Sequence, residues 1–123
     1  MLAMKTLEVY PSMSLSHLQQ RFNDLFPYLR LELSPETDVK VNDQQTLDEL
    51  GHSTTYCCFL IDGTLEVAEL EENFSACFGL PLRVSRWTGY GWHDTDTTRQ
   101  WTLCQQNQKG AEAAHLTPSV AYR

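Results

Sequence analysis

The chain has 123 residues, with 9 Lys and Arg against 16 Asp and Glu, for a net charge of −7 at pH 7. That length suits one domain with a core of its own. The acidity sets most of the surface against a phosphate backbone, and no run of about 18 apolar residues is present to cross a bilayer.

The opening "MLAMKTLEVYPSM" carries a single lysine and no apolar core of signal-peptide length. A cytoplasmic protein is therefore expected, with Cys57, Cys58, Cys77 and Cys104 as free thiols. "KTLEVY" (5–10) reads as a strand and leads to "LSHLQQRFNDLF" (15–26). Here Leu15, Leu18, Phe22, Leu25 and Phe26 fall at the i, i+3, i+7, i+10, i+11 spacing of one helical face. Ser14 or Ser16 supplies the cap, with Gln19 as capping-box partner of Ser16, and Pro27 ends the helix. In "YLRLEL" (28–33), Leu29, Leu31 and Leu33 alternate with Arg30 and Glu32, as a half-buried strand requires.

Residues 34–55 are polar and rich in turn formers, with a short strand expected at 39–41 and a helical turn at 46–51 closed by Gly51. The earlier pattern then returns. "CCFLID" (57–62) precedes "VAELEENFSACF" (67–78), in which Val67, Leu70, Phe74, Cys77 and Phe78 repeat the first apolar stripe at a constant offset. Gly79 stops this helix, and "LPLRVSR" (80–86) follows as a strand. Two β-α-β units predict an α+β two-layer sandwich from a duplicated β-α-β unit, ferredoxin-like or related, with both helices on one face of a single sheet.

"FGLPLRVSRWTGYGWHDTD" (78–96) then reads as a hairpin. A two-residue type II′ turn at Gly89-Tyr90 sets Trp87 opposite Trp92, Ser85 opposite Asp94 and Arg83 opposite Asp96 on one side. Arg86 and His93 pair on the other. Leu82 and Val84 point to the core, so the side bearing Trp87 and Trp92 is expected to be partly exposed. Thr102 and Gln105 form a capping box for a helix over 103–109, with Gly110 as its stop. These boundaries give a single α+β domain over 1–110 and a mobile tail over 111–123.

The second half, with "VAELEENFSACFGLPLRVSR", "GYGW", "WTL" and "QNQKG", resembles a family of small, uncharacterised bacterial proteins. The matching positions are Phe78, Gly79, Leu80, Arg86, Gly89, Trp92, Trp101, Thr102, Leu103, Gln106, Asn107 and Gly110, and "LFPYLRLEL" in the first half also fits. The resemblance covers most of residues 5–110. It implies a domain of this kind and no particular activity.

Chemistry-bearing patterns are sparse. Cys57 and Cys58 are adjacent in a strand and point to opposite faces, and no Cys-x-x-Cys or His-x-x-x-His spacing occurs, so no metal is expected. "TGYGW" is not followed by a helix start, so it does not cradle phosphate. No cofactor is expected. The one nucleophile-base assembly the sequence offers is Cys104 with His93 and Asp94 or Asp96, and nothing in the spacing joins them, so enzymatic activity stays open.

The strongest binding candidates are Arg83, Arg86, Trp87, Tyr90 and Trp92. Arginines interleaved with aromatics build protein hot spots and also stack single-stranded nucleic acid. The expected function is a protein-interaction or regulatory module that binds a protein partner, or itself, through the aromatic hairpin at 82–96. A single-stranded nucleic-acid-binding domain is the second reading, opposed by the net charge. A small enzyme using His93 or Cys104 is the third, and no membrane role is expected.

Overall fold

A computed structural model describes residues 6–33, 44–51 and 57–116. In chain order the elements are β1 (Leu7–Val9), α1 (Leu15–Leu25), β2 (Leu29–Leu33), α2 (Leu47–Leu50), β3 (Phe59–Ile61), α3 (Val67–Phe78), β4 (Leu82–Trp87), β5 (Trp92–Asp94) and α4 (Leu103–Leu116), with a 3-10 turn at Asp96–Thr98 before α4. The two apolar stripes form α1 and α3. Ser14 caps α1 by accepting from the His17 N–H, and Glu66 with Glu69 closes a capping box on α3.

The α+β class holds, while the sheet differs from expectation. Instead of one sheet, the described strands form two antiparallel sheets, β1–β3 and β2–β4–β5. First strands of the two units pair with each other, Leu7 opposite Ile61, and second strands likewise, Leu31 opposite Val84. Alternation decides the inward side of each. Leu29, Leu31, Leu82 and Val84 join Leu18, Phe22, Leu70 and Phe74 in one buried cluster, which also takes in Leu7, Val9 and Ile61. Ring contacts match as well, with Phe22 and Phe26 at 5.1 Å and Phe74 and Phe78 at 5.2 Å between centroids.

The four described helices start in pairs. Leu15 donates its N–H to the Gln45 carbonyl at 3.1 Å and Leu47 donates to Met13 at 2.9 Å. In the second half, Val67 donates to Trp101 at 3.1 Å and Leu103 to Leu65 at 2.8 Å. Asp48 and Cys104 extend the two sets by donating to Pro11 and Gly63. First-turn N–H groups have no partner inside their own helix, and a buried orphan is costly. Each pair of helix entries removes that cost for both members.

Two expectations are corrected. Gly110 does not end the last helix: α4 continues to Leu116, so residues 111–116 of the expected tail are helical and its remainder, 117–123, lies outside the described residues. The expected strand at 39–41 also lies outside them. Gly110 serves close approach, because a Cβ there would sit 2.6 Å from the Tyr28 Cβ. Likewise, the cysteines are not all free. Cys57 and Cys77 form a disulfide with Cα atoms 5.5 Å apart, while Cys58 and Cys104 are exposed thiols. Cys77 closes the buried stripe of α3, where the chain entering β3 reaches it.

Gly110→Ala provides a check. Helix propensity alone would favour alanine by about 1 kcal/mol. The clash with Tyr28 should instead destabilise the protein by roughly 1–3 kcal/mol, read as a lowered urea midpoint; a raised midpoint would show that α4 is not pressed against Tyr28.

Candidate interaction surface

The hairpin of β4 and β5 has the register its sequence predicts. Trp87 stands opposite Trp92, Arg86 opposite His93 and Ser85 opposite Asp94. Thr88 donates its N–H to the Gly91 carbonyl at 2.9 Å, leaving Gly89 and Tyr90 as the two turn residues. Gly89 takes φ 94°, a region open to glycine and strained for other residues. Tyr90 at the tip is 85% exposed. Beyond Asp94 the strand gives way to the 3-10 turn, and side chains continue the cross-strand contacts. Thr95 donates its hydroxyl to the Val84 carbonyl at 2.9 Å, and Arg83 meets Asp96 at 3.3 Å.

Strand alternation sorts the candidate residues onto two sides. Arg83, Trp87 and Trp92 share the outer side with Arg30, Glu32, Ser85 and Asp94. Both indoles are partly exposed, with ring centroids 5.4 Å apart and planes at 63°, the edge-to-face arrangement aromatic pairs prefer. The Arg30 guanidinium lies 4.9 Å from the Trp92 ring centroid. Arg30 and Asp94 flank Ser85 across three strands, and that small side chain lets the arginine reach over β4. Sequence reading assigned Arg30 only to an exposed strand position; the β2–β4 pairing that brings it to Trp92 is a tertiary fact.

The same surface continues into a cleft of about 590 Å³ between β2 and α1, lined by Gln19, Gln20, Asn23, Arg30, Glu32 and Trp92. Its floor closes the outer edge of β2. Gln19 and Asn23 donate side-chain N–H groups to the Leu31 and Leu29 carbonyls, each at 3.0 Å. At the other end, Trp87 borders a hollow of about 200 Å³ together with Arg86, Thr88 and the α4 residues Lys109, Glu112 and Ala113.

Arg86 lines that hollow as well but is tied inward. Its side chain turns to α4, donating to Gln106 Oε1 at 2.6 Å and lying 5.4 Å from the Trp101 ring centroid. Gln106 is fully buried and donates onward to the Thr98 carbonyl and hydroxyl, both at 2.8 Å. Burial lowers the Arg86 guanidinium from its ordinary pKa, and the Gln106 oxygen offsets part of that cost. Asn107 Oδ1 accepts the Tyr28 N–H at 2.9 Å. Gln106, Asn107 and Gly110, singled out in sequence as a helix-end pattern, therefore form the contact of α4 with the Tyr28–Arg86 corner.

The Cys104–His93 assembly does not form. Cys104 borders a cleft of about 520 Å³ with Leu25, Phe26, Gly63 and Gln105, and His93 does not line it. Among the described residues, no group of three or more His, Cys, Asp or Glu is placed to hold a metal ion, and no helix is long and apolar enough to cross a membrane. Comparison of the chain with protein-family models, curated proteins and solved structures finds no match in any of the three.

The two arginines should respond differently to removal. Arg86→Ala strands the buried Gln106 oxygen and should cost roughly 1–3 kcal/mol. Arg83→Ala breaks a partly exposed ion pair and should cost no more than about 1 kcal/mol. Urea denaturation of both variants tests this; equal losses would contradict the division between anchor and surface.

Proposed function

We propose that this chain is a protein-interaction module whose outer sheet face, centred on Trp87 and Trp92, binds a partner chain. The observation that carries the reading is the pair of partly exposed indoles in contact on one sheet face. A cross-strand aromatic pair adds only about 0.2–1 kcal/mol to a sheet, so stability alone gives weak reason to keep two tryptophans there. Large, rigid aromatics beside arginine are the side chains that dominate protein interfaces.

Local charge favours protein over nucleic acid. Arg30 and Arg83 share this surface with Glu32, Asp94 and Asp96, and Arg83 is already bonded to Asp96. A phosphate backbone would find more repulsion than counter-charge. We also infer an internal repeat from the matched helix entries, and membership of the small bacterial family from the Phe-Gly-Leu and Gln-Asn-x-x-Gly patterns. The Cys57–Cys77 bridge favours an oxidising compartment over the cytoplasm expected from the N-terminal sequence.

The test is a double variant, Trp87→Ala with Trp92→Ala. It should keep the far-ultraviolet spectrum and cooperative unfolding of the parent while losing the protein that the parent captures by crosslinking in cells. Equal capture by parent and variant would place the interface elsewhere.

A further inference from the structure

The three-stranded sheet treats its two edges differently. On β2 the outward Leu29 and Leu31 carbonyls are capped by Asn23 and Gln19. On β5 the bonding pattern can be followed residue by residue. Trp87 donates its N–H to Tyr28, toward β2, and Thr88 bonds Gly91 across the hairpin. In an antiparallel ladder, directions alternate. His93 therefore bonds back to Arg86, and the N–H and C=O groups of Trp92 and Asp94 point away from the sheet. No described residue caps them. An open edge of this kind is a template for another strand.

The side chains beside that edge define what could occupy it. Trp92 and Asp94 lie on the outer face, two residues apart, so an added strand sets its own i and i+2 side chains against them. Asp94 is exposed and Asp96 follows it, while Arg83 is engaged with Asp96. An incoming cation would be met by Asp94, and an incoming aromatic or apolar group by the Trp92 ring. A second copy of the chain fits less well. Antiparallel β5 self-pairing would set Asp94 against Trp92 of the other copy, between two chains of charge −7.

We propose that β5 binds an extended peptide segment by antiparallel strand addition, with a Lys or Arg of the peptide opposite Asp94 and an aromatic residue two positions later opposite Trp92. The inference rests on the reading of the Trp87–Trp92 face as protein-binding, and names the form and chemistry of the partner. Backbone bonds at the edge supply attachment, and the two side-chain positions supply selectivity.

The probe is a capped peptide, threonine-lysine-threonine-phenylalanine-threonine, titrated against the full chain by tryptophan fluorescence. Its lysine and phenylalanine N–H groups would face β5, and its threonine N–H groups would face solvent. Methylating the lysine and phenylalanine nitrogens should weaken binding by about tenfold or more, whereas methylating the central threonine nitrogen should leave it nearly unchanged. Asp94→Asn should weaken the parent peptide about three- to tenfold. The Trp92 and Asp94 amides should exchange hydrogen about tenfold more slowly when the peptide is bound. Binding without that protection, or with equal sensitivity at all nitrogens, would overturn strand addition and leave the aromatic face as a binding surface. Absence of binding, or amides already protected in the free protein by self-pairing, would overturn the inference. The wider reading falls separately, if the double tryptophan variant still captures its partner.

Discussion

Helix entries bonded to each other hold this fold in place. The chain leading into α1 exchanges backbone hydrogen bonds with the chain leading into α2, and the entries of α3 and α4 do the same. Each exchange satisfies first-turn N–H groups that a single helix leaves bare. In α4 the next donor is also taken: Gln105 N–H reaches the Thr102 hydroxyl, while Gln105 Oε1 accepts the Thr102 N–H. With its start fixed against α3, α4 must cross the end of β4, where Arg86, the buried Gln106 and Thr98 complete a part-buried polar network. Networks of this sort rigidify when every member is satisfied, and no buried side-chain polar atom among the described residues lacks a partner.

That anchoring determines which part of the hairpin remains available. Arg86 and Trp87 are adjacent in sequence and differ only in the side of β4 they occupy. Bonded to Gln106, Arg86 becomes part of the support; paired with Trp92 on the outer side, Trp87 stays partly exposed. The capped edge of β2 and the edge of β5, which no described residue caps, extend the same asymmetry to the backbone. The binding face is thus carried on a sheet fixed from behind, which favours a preorganised contact over one that must order itself on binding.

Much of this was legible because it depends on short-range periodicity. The Leu18–Phe22 and Leu70–Phe74 stripes, the Thr102–Gln105 box and the Trp87–Trp92 register each follow from spacings within one or two elements. What the sequence left open depends on long-range placement. Strand alternation says that Leu31 and Val84 face inward and is silent on whether they share a sheet with Leu7 and Ile61. Gly110 carries the ordinary mark of a helix stop, and only the nearness of Tyr28 explains it inside a helix. Vicinal Cys57 and Cys58 read as free thiols on opposite faces of a strand, whereas Cys57 finds its partner on α3. Arg30 joins the site through a neighbour two strands away, a relation that no local pattern carries.

The central claim is that the Trp87–Trp92 face is open to solvent while the Arg86–Gln106 corner behind it is closed. Solution NMR with a soluble, uncharged paramagnetic probe compares the two directly in one sample. Strong broadening of the Trp87 and Trp92 indole resonances is expected, with the Gln106 side-chain amide signals left sharp. If both indoles stay as sharp as Gln106, the hairpin is internal on both sides and cannot be the binding face.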